Sequence, residues 1–189
     1  MFNESRYRTE LSDYRIECAG KMKGKVLDSG GGLGTYLPYF SSKDVTVLDI
    51  SQEALDRLDW PQKICCDACH TPFDDNTFNS IWACSIVVYL PEPIETFIDE
   101  CKRIMVKDGN SLLIIQLPNP DSIWNRVKKR LGMRSWEDDE SPFFHMYDVK
   151  YLRQFGTLTG EVRFLPVWFN RIIRNRPFFW HTVMLEITV

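Results

Sequence analysis

Short runs of apolar residues alternate with longer amphipathic stretches up to about residue 118. The apolar runs predict five strands, at 25–29, 45–49, 63–66, 78–85 and 111–117. Helical periodicity predicts helices at 5–22, 52–58 and 93–106, with a further helix opening at the glycine cluster that begins at Gly30. Strands that alternate with helices are typical of a parallel sheet covered by helices, so we expect an α/β fold.

Beyond residue 118 the alternation ends. The pattern there predicts helices at 122–131 and 148–155, an acidic loop at 136–142, and strands at 161–169 and 182–189. The connection between these two strands holds no helix long enough to cross over the sheet, so we expect them to pair antiparallel as a terminal hairpin. That connection carries Arg171, Arg174 and Arg176 among aromatic residues, which suits either a nucleic-acid stacking surface or a loop with half-buried rings.

Composition and charge narrow the class of protein. The chain has 189 residues, 44% hydrophobic and 26% charged, which are ordinary values for one globular domain. Its longest apolar runs, 86–90 and 112–115, are far shorter than the roughly 18 residues of a membrane span, and its N-terminal residues are polar, so we expect neither a membrane span nor a secretion signal. We therefore expect a cytoplasmic protein with no membrane partner.

Charge is unevenly distributed along the chain. The net charge is −3, whereas residues 119–189 carry an excess of Lys and Arg. This asymmetry suits a surface for an anionic substrate, and it suits equally a set of solvated side chains.

A Cys-x-x-Cys-His pattern is formed by Cys66, Cys69 and His70. Such a pattern occurs in haem attachment sites, and its Cys-x-x-Cys part also occurs in zinc sites and redox pairs. Haem attachment normally needs an exported chain, and zinc needs a second pair of ligands, which the sequence does not offer. We expect these residues to be inert, without metal or haem.

The most informative segment joins the first predicted strand to the glycine cluster. The strand carries Asp28 near its end and is followed by Gly30, Gly32 and Gly34. A strand that turns on glycines is expected to point backbone N–H groups into the crevice at the end of the sheet, where a nucleotide-like ligand binds. The spacing differs from the dinucleotide pattern, because Thr35 stands where the third glycine would fall, and an acid beside a pyrophosphate is unfavourable. The segment therefore suits a ligand with a cationic end.

From about residue 24 to 118 the chain resembles the class I S-adenosylmethionine-dependent methyltransferases, specifically the small type that methylates metabolites. The resemblance rests on the glycine segment, on acids after the second and third strands, and on the string at 71–78. It implies S-adenosylmethionine as cofactor and a set of cofactor-binding residues along the strand ends. Those residues are Asp28, Gly30, Gly32 and Gly34 beside the methionine part, Asp49 and Ile50 at the ribose, Asp67 and Ala68 at the adenine, and Cys84 and Ser85 near the methionine amino group and the methyl.

The resemblance also implies a Rossmann-like, seven-stranded, mostly parallel sheet flanked by helices. On this interpretation 1–189 is one domain, with an N-terminal helix or lid at 1–24, a cofactor-binding core at 25–118, and a substrate-side region with the terminal hairpin at 119–189.

For function, we expect methyl transfer to a small-molecule acceptor by direct in-line displacement, a reaction that needs few catalytic residues. His145 is the candidate general base, since relatives often carry a histidine before the late helix, although a structural role for it is also open. The candidate walls of the acceptor pocket are aromatic residues and this histidine: Tyr89, Trp124, Trp136, Phe143, Phe144, His145 and Tyr147. An RNA or protein methyltransferase and an inactive cofactor-binding partner protein are the alternatives. The sequence does not give the acceptor or the oligomeric state.

Overall fold

The computed structural model describes residues 11–133, 144–161 and 180–189. Within these residues seven strands form one sheet in the order β3-β2-β1-β4-β5-β7-β6. The strands are β1 (Val26–Ser29), β2 (Val45–Asp49), β3 (Lys63–Cys65), β4 (Ser80–Cys84), β5 (Leu112–Pro118), β6 (Thr157–Glu161) and β7 (Thr182–Thr188). β1 pairs parallel with β2 and β4, β2 pairs parallel with β3, and β6 pairs antiparallel with β7. The predicted fold class, a mostly parallel seven-stranded sheet with an antiparallel C-terminal pair, is confirmed.

Five α-helices flank the sheet in the described residues. They are α1 (Asp13–Ala19), α2 (Gln52–Arg57), α3 (Ile94–Ile104), α4 (Ile123–Arg130) and α5 (Val149–Leu152). Four of them begin after a side chain that accepts a hydrogen bond from the backbone N–H three residues on, namely Ser12, Ser51, Ser122 and Asp148. These caps satisfy backbone donors that the first helical turn leaves unpaired, which fixes where each helix starts.

The core lies along the central strands. Every residue of β1 is buried, as are all residues of β4 except Cys84. Strands that are covered on both faces read as nearly continuous apolar runs, as these do. Because β1, β2 and β4 run parallel, their carboxyl ends meet at one edge of the sheet. The predicted cofactor-binding residues follow these strand ends.

The glycine cluster does not open the α-helix that the sequence predicts. A single 3-10 turn, Leu37–Tyr39, takes its place, with Pro38 in its first positions. Gly34, just before this turn, has a φ of +72°, outside the helical region. A left-handed glycine followed by a proline without an N–H prevents a regular helix from starting there.

The C-terminal predictions have mixed outcomes. β6 is Thr157–Glu161, and β7 agrees with its prediction. Apart from residue 161, the predicted strand at 161–169 lies outside the described residues. The predicted helix at 148–155 is a single turn. The acidic loop at 136–142 and the arginine-containing connection at 170–179 lie outside the described residues.

The chain divides into two compact units. The first contains the described residues up to Cys84 together with Glu92–Ile114 and Thr188–Val189, and the second contains Ser85–Pro91 and the described part of Ile115–Ile187. The single domain expected from the sequence, with divisions at 24 and 118, stays a prediction. In the described part of the chain, no helix combines the length and the apolar character that crossing a membrane requires.

Candidate functional site

The turn after β1 is fixed by hydrogen bonds that its backbone N–H groups donate. The N–H groups of Gly30 and Gly31 both donate to the carbonyl of Leu48 on β2, at 2.7 and 3.0 Å. The N–H of Gly32 donates to Asp49 Oδ2 at 2.9 Å, and that of Gly34 donates to the Gly31 carbonyl at 2.8 Å. These four N–H groups therefore bind protein acceptors, in contrast to the expectation that the turn points its donors into the crevice.

Gly31 is a residue that the spacing argument passed over. A Cβ at this position would lie 2.7 Å from Asp28 Oδ2 and 2.7 Å from Val47 Cγ1, closer than real Cβ atoms come to their neighbours. Only glycine fits here without displacing the Asp28 carboxylate or the Val47 side chain. The signal in the sequence was the run of three glycines, of which the motif uses only the first and third.

Asp28 is a buried carboxyl group with an unsatisfied oxygen. The residue is 2% exposed, and among the described residues its Oδ2 atom has no hydrogen-bond partner. Burial, and secondarily the neighbouring Asp49, raises the pKa of Asp28 from 3.8 to about 7. A buried carboxylate without a partner is costly, and a cationic ligand group placed beside it would stabilise the ionised form. The structure thus agrees with the cationic ligand that the sequence suggests.

Asp49 ends β2 and is oriented by backbone donors. Its Oδ2 accepts from Gly32 N, and its Oδ1 accepts from Ser51 N, each at 2.9 Å. Burial raises the pKa of Asp49, and the N–H groups of Ser51, Gly32 and Ile50 oppose that rise. Each oxygen retains acceptor capacity, so the carboxylate is available to two further donors such as vicinal hydroxyls. Ile50, which follows, is 75% exposed.

Asp67 and Ala68 lie in the loop after β3. Asp67 Oδ1 accepts from Cys69 N at 2.8 Å, which fixes the loop, and Ala68 is buried. His70 Nδ1 lies 3.7 Å from Asp67 Oδ2 and 3.4 Å from Glu92 Oε1. In the part of the chain that the structure describes, Asp67, His70 and Glu92 are the group whose ligand atoms lie close enough to hold a metal ion.

The two thiols of the haem-like pattern are not part of that group. Burial is the largest cause that raises the pKa of Cys66 to about 11 and that of Cys69 to about 12. Protonated thiols are poor nucleophiles and poor metal ligands. That this segment binds no metal and no haem stays a prediction.

Cys84 belongs to a buried polar cluster at the end of β4. Its thiol donates to the Tyr36 hydroxyl at 3.5 Å, and Tyr36 is 3% exposed with its ring 4.9 Å from that of Trp82. Burial, then Cys84, raises the pKa of Tyr36, and a hydrogen bond with Arg15 opposes the rise. Sequence reasoning missed Arg15 and Tyr36, because no local pattern relates residues so far apart to Cys84.

Ser85, the next residue, begins a segment of the second unit. It has a φ of +60°, which is uncommon for a residue with a side chain. Two hydrogen bonds to Gln116 on β5 hold it: its N–H donates to the backbone carbonyl at 3.0 Å and its Oγ to Oε1 at 2.6 Å. Strained backbone that neighbours stabilise is typical of functional sites.

His145 is exposed, and its backbone N–H donates to the Val88 carbonyl at 2.7 Å in the second unit. Nearby in the chain, the rings of Phe144 and Tyr89 lie 5.5 Å apart. Trp136 and Phe143 fall outside the described residues. The structure therefore brings Asp28, the glycines and Asp49 together in the first unit, while Ser85 and His145 are residues of the second.

Known proteins resemble this chain in sequence and in fold. Residues 27–113 match the family model of the methyltransferase domain. An uncharacterised protein of Methanocaldococcus jannaschii is 31% identical over 139 residues, which make up 67% of this chain and 59% of that protein. The chain thus spans about three fifths of the length of this relative.

Two solved structures share the fold. An S-adenosylmethionine-dependent methyltransferase from Archaeoglobus fulgidus aligns with a TM-score of 0.67 at 16% identity, covering 93% of this chain and 90% of that one. A chain from the complex between the Haloferax volcanii Trm112 methyltransferase activator and a methyltransferase aligns with a TM-score of 0.63 at 16% identity, covering 93% and 94%. The matched domain and the shared fold lead to one assignment. The chain contains a methyltransferase domain at residues 27–113 and has the fold of the S-adenosylmethionine-dependent methyltransferases.

Proposed function

We propose that this protein binds S-adenosylmethionine and transfers its methyl group to a small-molecule acceptor by direct in-line displacement. The observation that carries the proposal is the buried, unpartnered Oδ2 of Asp28 beside a glycine turn that also orients Asp49. The cofactor combines a cationic methionine end with a ribose diol, and it supplies an activated methyl group on a sulfonium sulfur. One carboxylate is proposed for each end.

Asp28 and the glycine turn are assigned to the methionine end. Gly30, Gly32 and Gly34 each have positive φ, and Gly31 packs directly against the Asp28 carboxylate. A cation placed beside the turn would give the Asp28 carboxylate a charge-assisted contact. Cys84 and Ser85 are assigned to the amino group and the transferring methyl, as the resemblance implies.

Asp49 is assigned to the ribose, with Ile50 beside it, and Asp67 with Ala68 to the adenine. The Asp49 carboxylate is already fixed by Gly32 N and Ser51 N, so it loses little freedom when it accepts from two hydroxyls. The exposed side chain of Ile50 offers an apolar surface that a bound nucleoside would cover.

On the acceptor side, His145 is assigned as the general base that removes a proton from a neutral hydroxyl acceptor. The aromatic pair Tyr89 and Phe144 is assigned to the pocket wall. In-line transfer then requires mainly that the acceptor atom be held opposite the departing sulfur.

A second candidate function is that of a methyltransferase subunit that needs a protein activator. The supporting observation is the fold shared with the chain from the Trm112 complex. If this candidate holds, the isolated chain binds cofactor without turnover, and activity appears when an activator is added.

The test combines calorimetry with a turnover screen. We expect the isolated protein to bind S-adenosylmethionine and its demethylated product, and to transfer labelled methyl to at least one metabolite in a library. Absence of binding to both molecules would refute the methyltransferase assignment. Binding together with transfer only to RNA or protein would refute the small-molecule acceptor.

A further inference from the structure

Helix α4 exposes its apolar residues and buries a polar one. Ile123, Val127 and Leu131, which directly follows the helix, are 39%, 38% and 67% exposed, and Trp124 is 36% exposed. The buried residue of α4 is Asn125, whose side-chain amide donates to the Asn119 carbonyl at 3.1 Å. This arrangement is the reverse of that in an ordinary surface helix, whose apolar stripe faces the core.

The exposed apolar residues form one continuous stripe. At about 100° per residue, Ile123, Val127, Leu131 and Trp124 fall in that order within an arc of roughly 100°, and Asn125 points away from it. We call these four residues the α4 stripe. Met133, shortly after, is 49% exposed and extends the apolar character.

Cations border the α4 stripe along both edges. On the same helical projection, Arg126 and Arg130 lie beyond Ile123, and Lys128 lies beyond Trp124. The sequence of α4, IWNRVKKR, contains four basic residues and no acidic one. Asp121 lies just before the helix, with an oxygen 3.8 Å from Arg126.

An apolar stripe with cationic edges and a tryptophan at one side fits the boundary between lipid headgroups and acyl chains. The basic edges on both sides of the stripe match an anionic headgroup surface. We propose that α4 docks this protein on an anionic membrane surface, lying in the plane of the interface with the α4 stripe turned toward the acyl chains.

This inference goes beyond methyl transfer and does not rest on it. It also opposes the sequence-based expectation of no membrane partner, which rested on the length of apolar runs. The length of an apolar run identifies helices that span a bilayer, but it does not identify a short helix that lies on the bilayer surface.

Sedimentation of the full chain with vesicles, without cofactor, tests the proposal. We expect binding to vesicles of phosphatidylcholine and phosphatidylglycerol in equal parts to be at least about tenfold tighter than binding to phosphatidylcholine alone, and to weaken with salt. Ile123→Ser with Val127→Ser should weaken binding by at least about tenfold, and so should Arg126→Ala with Arg130→Ala. Leu11→Ser is the apolar control, and Lys43→Ala with Lys107→Ala is the charge control, since all three residues are exposed elsewhere.

Fluorescence gives a second readout. Anionic vesicles should shift the tryptophan emission to shorter wavelength, and Trp124→Phe should remove most of that shift. Thermal melting checks that each variant folds, and Leu131→Ser replaces the double apolar variant if that one does not. The proposal is overturned if neither vesicle type binds, if the apolar variants bind like the wild type, or if the controls lose as much affinity. It is also overturned if the α4 stripe is needed for binding RNA or a protein and not for binding lipid.

Discussion

Asp28 and Asp49, proposed for the cofactor, and His145, proposed for the acceptor, are held in different ways. The two aspartates are buried next to strands, and Asp49 is fixed through Gly32 and Ser51. His145 is exposed, and the hydrogen bond that positions it comes from its backbone N–H, which leaves its ring orientation to other contacts. The proposed cofactor side is therefore built from backbone geometry, whereas the proposed acceptor side depends on side chains.

The largest expected effect is on the acceptor side. His145→Ala should lower turnover on an identified acceptor by about 10²–10⁴, because a lost general base typically costs that much. Cofactor affinity, measured by calorimetry, should not change. Lys150→Ala, exposed on α5, is the control. Full turnover in His145→Ala would show that this residue is not the general base and that the acceptor side must be built from other residues.

On the cofactor side, Gly31→Val should weaken binding of S-adenosylmethionine by about a hundredfold or more. Its Cβ would meet Asp28 Oδ2 and Val47 Cγ1 at 2.7 Å, so the branched side chain would displace the Asp28 carboxylate and distort the turn. Calorimetry measures the affinity, and thermal melting shows how much stability is lost. Gly20→Ala is the control, because its Cβ would meet no atom closer than 3.4 Å. Undiminished affinity in Gly31→Val would show that ligand binding does not depend on the position of the Asp28 carboxylate.

Asp49→Ala should weaken cofactor binding by at least about tenfold. Each charge-assisted hydrogen bond is worth roughly 1.5–3 kcal/mol, and about 1.4 kcal/mol corresponds to one decade of affinity. Asp49→Asn should be milder, since a carbonyl oxygen remains to accept. Asp44→Ala, at an exposed position before β2, is the control. Equal affinity in the wild type and both Asp49 variants would spare the fold and exclude Asp49 from the site.

The smallest effect concerns pH. In the unfolded chain Asp28 ionises near the ordinary aspartate pKa of 3.8, whereas in the fold its pKa is about 7. Between those values the folded state holds a proton that the unfolded state has lost, so the stability of the cofactor-free protein falls as pH rises through this window. As pH rises through this window, we expect the melting temperature to fall by at least about 5 °C more in the wild type than in Asp28→Asn.

Saturating S-adenosylmethionine should reduce that difference, since a bound cation favours the ionised carboxylate. Melting curves between pH 4 and pH 8, with and without the cofactor, check both statements. Identical pH profiles for the wild type and Asp28→Asn would contradict the role of Asp28 as a buried, unpartnered acid.

The parts of this fold that sequence reasoning predicted are those with local causes. β2 was predicted with its observed bounds because its apolar and β-branched residues are followed directly by Asp49 and by Ser51, which caps α2. The helix expected after Gly30 was wrong because the left-handed φ of Gly34 and the position of Pro38 decide the local geometry. Both residues can be read from the sequence, but the prediction relied on the glycine pattern and did not take their local geometry into account.

The rest of the candidate site depends on long-range packing. Tyr36 meets Cys84 across the fold, and Gly31 is required by Asp28 Oδ2 and by Val47 on a neighbouring strand. The sequence also did not predict that the apolar stripe of α4 faces solvent. Periodicity shows that a helix has an apolar stripe, but it does not show which way the stripe faces. Such facts follow from where strands and helices come together, which spacing along the chain does not encode.

The backbone donors of the glycine turn set a limit on which nucleotides this protein can hold. Gly30, Gly31, Gly32 and Gly34 give their N–H groups to Leu48, Asp49 and Gly31, and a 3-10 turn follows in place of a long helix. A pyrophosphate therefore finds at these four positions neither unpaired N–H donors nor the positive end of an extended helix dipole, and it faces two carboxyl groups. We therefore expect the turn to discriminate against phosphorylated nucleotides such as ATP and NAD, which are abundant in cells, and to leave the crevice to a nucleoside that carries positive charge.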